Sequence, residues 1–330
     1  MCKYLFAFLL LFILGFSKVN FAQNEDSTES EDTWNNEDWS DEDWSDEDWN
    51  FDDWDFGNRH KDFEWEDFQF HGRPLIETSY GLPKLAIKSL NTDFNKPGAA
   101  ELRLGYSTLR EYSDYVIKYR NRFVFLGNFS KDLSKSTNNK TAINTEIWRF
   151  GAGWLKGYGY QIGKSAIIPY TSNSFVWTRI KSNDYYAIDS ASSFVPLNKI
   201  GVDKNDAETL DLFNNAFRFG TMMESGIRIQ FIPLISVNAG YEREIVFPRH
   251  LFWKSAGSMA IEWAGIGAID FFVSEVMDDS PAAGPIINFV LKSGLSYGLY
   301  QLRRDKMNWP FESAEPLTLD SWRFGITFTF

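Results

Sequence analysis

The last ten residues of the chain alternate strictly between large apolar side chains and small or polar ones. The apolar positions are Trp322, Phe324, Ile326, Phe328 and Phe330, and the intervening residues are Ser, Arg, Gly and Thr. A repeat of two places successive side chains on opposite faces of a β-strand. The segment therefore predicts a strand with one face toward an apolar medium and the other toward a polar one.

An aromatic residue at the carboxyl end of such a strand resembles the assembly signal of Gram-negative outer-membrane β-barrels. Ile326, Phe328 and Phe330 occupy the apolar positions of that signal. The resemblance implies an all-β, transmembrane, antiparallel up-and-down barrel in the cell outer membrane, inserted by the barrel-assembly machinery. Taken alone, the ten residues also fit an amphipathic edge strand of a soluble sheet.

Other segments of the chain favour the barrel. The mature chain has no uninterrupted run of 18 apolar residues, so a helical membrane protein is not expected. Several segments instead alternate over ten or more residues, which suits membrane-crossing strands of about 9–11 residues better than soluble strands of about 5–6. Together with the terminal strand, the predicted strands are 80–90, 99–108, 113–129, 142–160, 164–181, 215–231, 235–247, 257–276 and 285–302.

Segment 257–276 has two interpretations. It alternates as a strand, but Ala256, Ala260, Ala264 and Ala268 also recur at helical spacing, and alanine favours a helix. Counting it as a strand gives about ten strands. The alternative is an eight-stranded barrel with a helical hairpin at 253–302.

The lengths of the connections predict the orientation. Short connections at about 109–112, 161–163 and 232–234 fall at one end of the barrel, and a turn at 277–284 joins them in the ten-strand count. Long polar connections at 91–98, 130–141, 182–214, 248–256 and 303–319 fall at the other end. Short periplasmic turns and long outer loops are the usual asymmetry, so we expect both termini to be periplasmic.

The amino-terminal region predicts secretion. Lys3, an apolar run from Tyr4 to Phe16 and a small residue at Ala22 have the order of a cleaved signal peptide, assigned to residues 1–22. Cys2, the single cysteine, precedes the apolar run, so we expect no thiol or disulfide chemistry in the mature chain. Residues 75–330 then form the barrel.

Residues 23–74 form a separate, acidic block. Positions 24–67 hold 20 Asp or Glu against Arg59 and Lys61, whereas positions 68–330 carry a net charge of +4. Such asymmetry predicts a disordered periplasmic tail. Tryptophans recur in it every five residues, a spacing that fits neither a helix nor a strand: Trp34, Trp39, Trp44, Trp49 and Trp54.

The tail supports two interpretations. Aromatic anchors within an acidic field suit multivalent binding of a basic periplasmic partner. The alternative is a solvated tail whose repeats arose by slippage. A calcium site is not expected, since the carboxylates lie in no glycine-containing loop that ends in a bidentate Glu.

The inward positions of the predicted strands carry many charges. A barrel of eight to ten strands has an interior that side chains largely fill, so a wide porin is not expected. The charges predict a salt-bridged plug, and the alternative is a narrow anion-selective path along Lys118, Arg120 and Arg122. The predicted lumen charges are Glu101, Arg103, Lys118, Arg120, Arg122, Arg149, Arg218, Glu224, Arg228, Glu242, Glu244, Glu262, Asp270, Lys292 and Arg323.

The sequence gives little indication of catalysis. His250 is the only one of three histidines that lies well away from the tail, and Ser255, Ser258 and Glu262 follow it. No nucleophile elbow or zinc-binding pattern is present. We therefore expect no enzymatic activity, cofactor, metal or nucleic-acid partner. The alternatives are a narrow channel or transporter for small anionic or amphipathic solutes and a lipid-modifying enzyme that uses His250.

Overall fold

A computed structural model describes residues 72–134, 142–182, 185–188 and 199–330. The predicted signal peptide and the tryptophan repeat lie outside the described residues.

Eight long antiparallel strands close into a barrel in the order β1-β10-β9-β8-β5-β4-β3-β2. A separate parallel pair, β6 (Tyr185–Ala187) and β7 (Ile200–Val202), precedes helix α1 (Lys204–Asp211). Two long helices follow β9: α2 (Phe252–Asp279) and α3 (Gly284–Arg303). The barrel strands are β1 (Arg73–Ala86), β2 (Gly98–Glu111), β3 (Val116–Ser130), β4 (Glu146–Ile162), β5 (Ser165–Lys181), β8 (Phe217–Ile232), β9 (Ile235–Val246) and β10 (Leu317–Thr329).

The eight-stranded alternative is confirmed, and the ten-strand count is wrong. Segments 257–276 and 285–302 lie within α2 and α3. The buried positions of α2 are three, four or seven residues apart, which is helical spacing: Ser255, Ser258, Glu262, Ile269, Val273 and Met277. The alternation that suggested strands is the weaker pattern here, because both faces of each segment carry apolar residues.

Both ends of the barrel chain meet at one rim. The amide of Phe330 donates to the carbonyl of Pro74 at 2.9 Å, and the amide of Thr329 donates to the carbonyl of Leu234, also at 2.9 Å. The short connections 112–115, 163–164 and 233–234 lie at this rim, which we call the turn end. The long connections lie at the opposite rim, the loop end, so the predicted asymmetry is confirmed.

The outer wall of the barrel is apolar over much of its surface. In the second half of β10, Trp322, Phe324, Ile326 and Phe328 point outward and are 39–56% exposed, whereas Ser321, Arg323 and Thr327 point inward and are buried. The same outward apolar positions continue on neighbouring strands: Ile76, Tyr80, Leu82, Leu102, Leu104, Val124, Leu126, Trp148, Phe150, Ile227 and Ile229. Soluble proteins rarely expose so large a contiguous apolar surface.

The two long helices form a hairpin against the outside of the barrel. At the turn end, Tyr112 Oη donates to Asp278 Oδ1 at 3.1 Å and Tyr160 Oη donates to the carbonyl of Ala282 at 2.5 Å. α3 returns along β4 and β5, and Tyr300 Oη donates to Asp320 Oδ1 at 2.6 Å. With 28 residues, α2 is about 42 Å long, so the hairpin spans the height of the barrel.

The hairpin has the polarity of a lipid-facing element. Its buried positions include polar and charged residues, whereas large apolar side chains such as Trp263, Phe271, Ile286 and Val290 are more than half exposed. By length and composition, α2 is the one helix of the described residues that is able to cross a membrane. Several polar residues of the hairpin are therefore buried against protein, and several of its large apolar residues face outward.

Candidate functional site

A cluster of nine charged side chains fills the middle of the barrel lumen. Each is at most 6% exposed. The cluster contains five carboxylates, Glu77, Glu101, Glu224, Glu242 and Glu244, and four guanidinium groups, Arg103, Arg149, Arg228 and Arg323. We call these nine residues the lumen network. All but Glu77 belong to the predicted lumen charges, and all nine side chains are buried on the inner face of the barrel.

Glu77 is the residue that sequence reasoning missed. Its two carboxylate oxygens accept hydrogen bonds from Arg323 at 2.6 Å and from Arg228 and Thr327, each at 2.7 Å. The predicted first strand, 80–90, began after it, whereas β1 begins at Arg73. The alternation of Leu75, Glu77 and Ser79 with exposed residues would have placed it inward, had the strand been extended.

Glu101 and Glu224 connect arginines on different strands. Glu101 accepts from Arg103 Nε at 2.7 Å and from Arg149 Nη2 at 2.5 Å. Glu224 accepts from Arg103 Nη1 at 3.0 Å, from Arg323 Nη2 at 2.6 Å and from the hydroxyl of Tyr170 at 2.5 Å. Since each of these carboxylates bonds more than one side chain, the network links β2, β4, β5, β8 and β10 across the lumen, the arrangement expected of a salt-bridged plug.

Glu242 has weaker contacts. It pairs closely with Arg149, but Arg103 and Arg323 lie 3.6 and 3.7 Å from its Oε2. Both of its oxygens are buried without a hydrogen bond of good geometry. Its neighbour Glu244 has better hydrogen bonds, because its carboxylate accepts from Arg149 Nη1 at 2.8 Å and from the hydroxyl of Thr178. The lumen network has five carboxylates and four guanidinium groups. Glu242 is the carboxylate among them with the poorest hydrogen bonds.

Aromatic rings of β3 line the lumen beside the network. The guanidinium carbon of Arg103 lies 4.6 Å from the ring centroid of Phe123, and that of Arg149 lies 4.5 Å from the ring centroid of Phe129. The same carbon of Arg228 lies 4.9 Å from the ring centroid of Tyr119. Rings at this distance attract a cation and contribute most where water is excluded.

This arrangement corrects the predicted orientation of β3. Lys118, Arg120 and Arg122 point outward, so they line no path through the lumen. The prediction assumed that aromatic residues face lipid. They point inward here because β4 presents glycines opposite them: a Cβ on Gly151 would lie 2.7 Å from the ring of Phe125.

Three further predicted lumen charges are outside the barrel. Glu262, Asp270 and Lys292 belong to the hairpin, which is helical rather than part of the wall. Lys292 pairs with Asp270 at 2.5 Å, and Glu262 pairs with Arg303 at 2.9 Å. Arg218 does point inward on β8, but it lies nearer the loop end than the lumen network does.

An apolar layer closes the lumen above the lumen network. It lies toward the loop end and consists of buried residues from the barrel strands and from the connections that follow them. Its members are Leu85, Ile87, Ala99, Phe129, Ile147, Ile180, Phe213, Val246, Leu317 and Leu319. The buried ionic network and the buried apolar layer thus follow one another along the lumen.

The connections at the loop end form a small structured unit. Asp206 of α1 is buried and accepts from the amide of Asn91 at 3.2 Å. Tyr185 Oη donates to Asp211 Oδ1 at 2.5 Å, and burial together with this hydrogen bond raises the pKa of Tyr185. The described part of this unit packs around Ile143 and Val202.

His250 lies beside aromatic rings of β8 and α2. Its ring lies 5.4 Å from that of Phe219 and 6.3 Å from that of Phe252. Ser255 donates to Asn308 Oδ1 at 2.9 Å and Ser258 donates to the carbonyl of Trp309 at 2.7 Å. The candidate serines are therefore engaged with the segment after α3. Within the described residues, no group of His, Cys, Asp and Glu is arranged to hold a metal ion.

The apolar outer wall and the closed, plugged barrel define the class of protein. A closed barrel satisfies every strand hydrogen bond internally, and an outward apolar band is the surface that lipid requires. This is an outer-membrane β-barrel. A groove of about 810 Å³ on its outer wall, between Tyr80, Ile227 and Phe324, therefore faces lipid rather than the lumen.

Comparisons with known proteins give no family. No family model matches the chain, and no curated protein matches it. Among solved structures, it is similar to Neisserial surface protein A, with 8% identity and a TM-score of 0.37, over 78% of this chain and 97% of that one. It is also similar to Ail, the attachment invasion locus protein of Yersinia pestis, with 9% identity and a TM-score of 0.30, over 78% and 99% of the two chains. Likeness at this level carries no functional inference.

Proposed function

We propose that the protein is a non-enzymatic outer-membrane anchor whose acidic, tryptophan-rich tail recruits a basic partner in the periplasm. The observation that supports this most is the filled lumen. Nine buried charged residues and an apolar layer occupy the barrel cross-section. Because buried side chains occupy the lumen, we place the use of this barrel in what it holds at its rims.

The position of the tail fits this role. β1 begins at Arg73, at the turn end, where short connections indicate the periplasmic side. The acidic residues that precede it are therefore attached at the rim that faces the periplasm. Repeated tryptophans separated by carboxylates offer many weak contacts, which together give avidity for a basic surface.

If the protein is only an anchor, it should not conduct ions. A conductance measurement therefore tests the hypothesis. Purified full-length protein in a planar lipid bilayer should show no stepwise conductance. A matched variant, Arg149→Ala with Glu242→Ala, should remain closed because the apolar layer persists. Regular single-channel steps from the wild-type chain would contradict the anchor and favour the narrow transporter.

The recruiting role is tested by capture. Full-length protein, a chain lacking residues 24–67 and a chain with all five repeat tryptophans changed to Ser should be compared as baits for periplasmic extract across a salt series. We expect basic proteins to be retained by the full-length chain, less by the Ser variant and not by the truncated one. Identical captured sets for all three chains would contradict a recruiting tail.

A further inference from the structure

The barrel wall beneath the hairpin is polar at mid-height. The register aligns Lys156 of β4, Thr171 of β5 and Ser225 of β8 in one outward-facing row, near the middle of each strand. In the next row toward the loop end, the sulfur of Met223 accepts a hydrogen bond from the hydroxyl of Ser296 on α3 at 3.0 Å. The hairpin therefore packs on a part of the wall that, at this height, is usually apolar in a lipid-facing barrel.

The hairpin places charges and an unpaired polar atom opposite this row. Lys292 of α3 pairs with Asp270 of α2 at 2.5 Å, and Lys156 interacts electrostatically with both, so two ammonium groups share one carboxylate. One helical turn before Lys292, Asn288 is 2% exposed. Its Oδ1 and the hydroxyl of Ser225 are buried without a hydrogen-bond partner among the described residues, whereas buried polar atoms normally have one. We call these side chains the crevice: Lys156, Thr171, Ser225, Asp270, Asn288 and Lys292.

Apolar clusters bound the crevice toward both rims. Toward the turn end, Val116 of β3 packs with buried apolar residues of α2. Toward the loop end, Ile245 of β9 packs with Tyr300 of α3. The remaining side faces the bilayer, since the side chain of Asp270 is 47% exposed and Lys156 is exposed on the outer wall. A ligand therefore approaches the crevice through lipid rather than from either rim.

We propose that the crevice binds the carboxyl group of a single-chain fatty acid dissolved in the membrane. Its ligand must accept hydrogen bonds from ammonium groups and donate one to Asn288 Oδ1. A carboxyl group does both, because its oxygens accept and its protonated form carries an O–H donor. The acyl chain then lies in the surrounding lipid.

The depth of the crevice favours a fatty acid over a phospholipid. A charged phosphate is costly to bring into hydrocarbon, whereas a carboxylic acid enters it in the neutral, protonated form. Ionisable side chains at this depth are rare and typically mark a functional site. This inference concerns the outer wall and is independent of the role of the tail.

Photocrosslinking of the full-length protein tests this site. The protein, in nanodiscs of zwitterionic lipid, is irradiated with hexadecanoic acid that carries a diazirine close to its carboxyl group, and mass spectrometry identifies the labelled peptides. We expect saturable labelling of β5, β8 and α3 at the crevice, about tenfold above that by the methyl ester of the same probe, since the ester has neither the O–H donor nor a charge. Equal labelling by acid and ester, or no saturable labelling at the crevice, would overturn the proposal.

Single substitutions provide a second test. Lys156→Gln, at an exposed position, should reduce labelling by the acid about tenfold, because it removes a charged donor. Lys84→Gln, which changes an exposed lysine of β1, is the matched control and should leave labelling unchanged. Circular dichroism confirms that both variants retain their strands. Equal labelling of the two variants would overturn the proposal. So would displacement of the probe by added anionic phospholipid, because lipid phosphate would then be the occupant.

Discussion

Arg323 on the last strand donates to Glu77 on the first strand at 2.6 Å, across the seam that closes the barrel. The two residues are 246 positions apart in the chain. Each is 3% exposed or less, and each also contacts further members of the lumen network. The seam is therefore held by buried charge as well as by the hydrogen bonds between β1 and β10.

Removing the charge of Glu77 should weaken the whole barrel. Glu77→Gln takes the carboxylate partner from the buried Arg228 and leaves Arg323 with Glu224, and breaking a buried pair in this way costs about 3–5 kcal/mol. The measurement is the free energy of unfolding in detergent by denaturant titration. Glu111→Gln, at an exposed position of β2, is the control. Equal losses for the two variants would show that the seam does not depend on Glu77.

Glu242 should respond differently from Glu77, although it is equally buried. The lumen network has one carboxylate more than it has guanidinium groups, and the contacts of Glu242 are the poorest. Glu242→Gln should therefore change the free energy of unfolding by less than about 1 kcal/mol, since it removes excess negative charge as well as a partner of Arg149. The same titration checks this. A loss as large as that of Glu77→Gln would contradict the ranking.

Gly151 should tolerate no larger side chain. A Cβ at this inward position of β4 would collide with the backbone carbonyl oxygen of Phe175 on β5 and would lie 2.7 Å from the ring of Phe125, so Gly151→Val must displace both the backbone of β5 and Phe125. Overpacking of this kind costs about 1–3 kcal/mol. Ala152→Val, at the next, outward-facing position, is the matched control and should be neutral. Thermal unfolding followed by circular dichroism distinguishes the two.

Phe330 should be needed for assembly more than for folding. Its side chain is exposed, so it adds little to the packing of the barrel, although it ends the alternating strand. Deleting it should reduce membrane insertion and leave the chain in the periplasm, whereas Phe330→Tyr, which keeps an aromatic end, should insert normally. Fractionation of cells measures this. Normal insertion of the deleted chain would show that the end of β10 is not read as an assembly signal.

The sequence determined the parts of the barrel that repeat with a period of two. In the middle of β4, β8, β9 and β10 most inward residues are small or charged and most outward ones are apolar, so alternation alone assigned both faces there. The rule holds because lipid surrounds one face and the packed, polar lumen the other. The terminal strand and the inward Arg149, Glu224 and Arg228 could therefore be identified without a structure.

Only the tertiary structure decided the orientation of β3 and the state of residues 252–303. Phe123 and Phe125 turn inward because glycines on the neighbouring β4 leave room for them, and this sends Lys118, Arg120 and Arg122 outward. Single-strand periodicity contains no information about the strand beside it. The hairpin is helical because its charged residues pair between its own two helices and α3 bonds to the barrel wall. The contacts with the wall form only once the barrel is present.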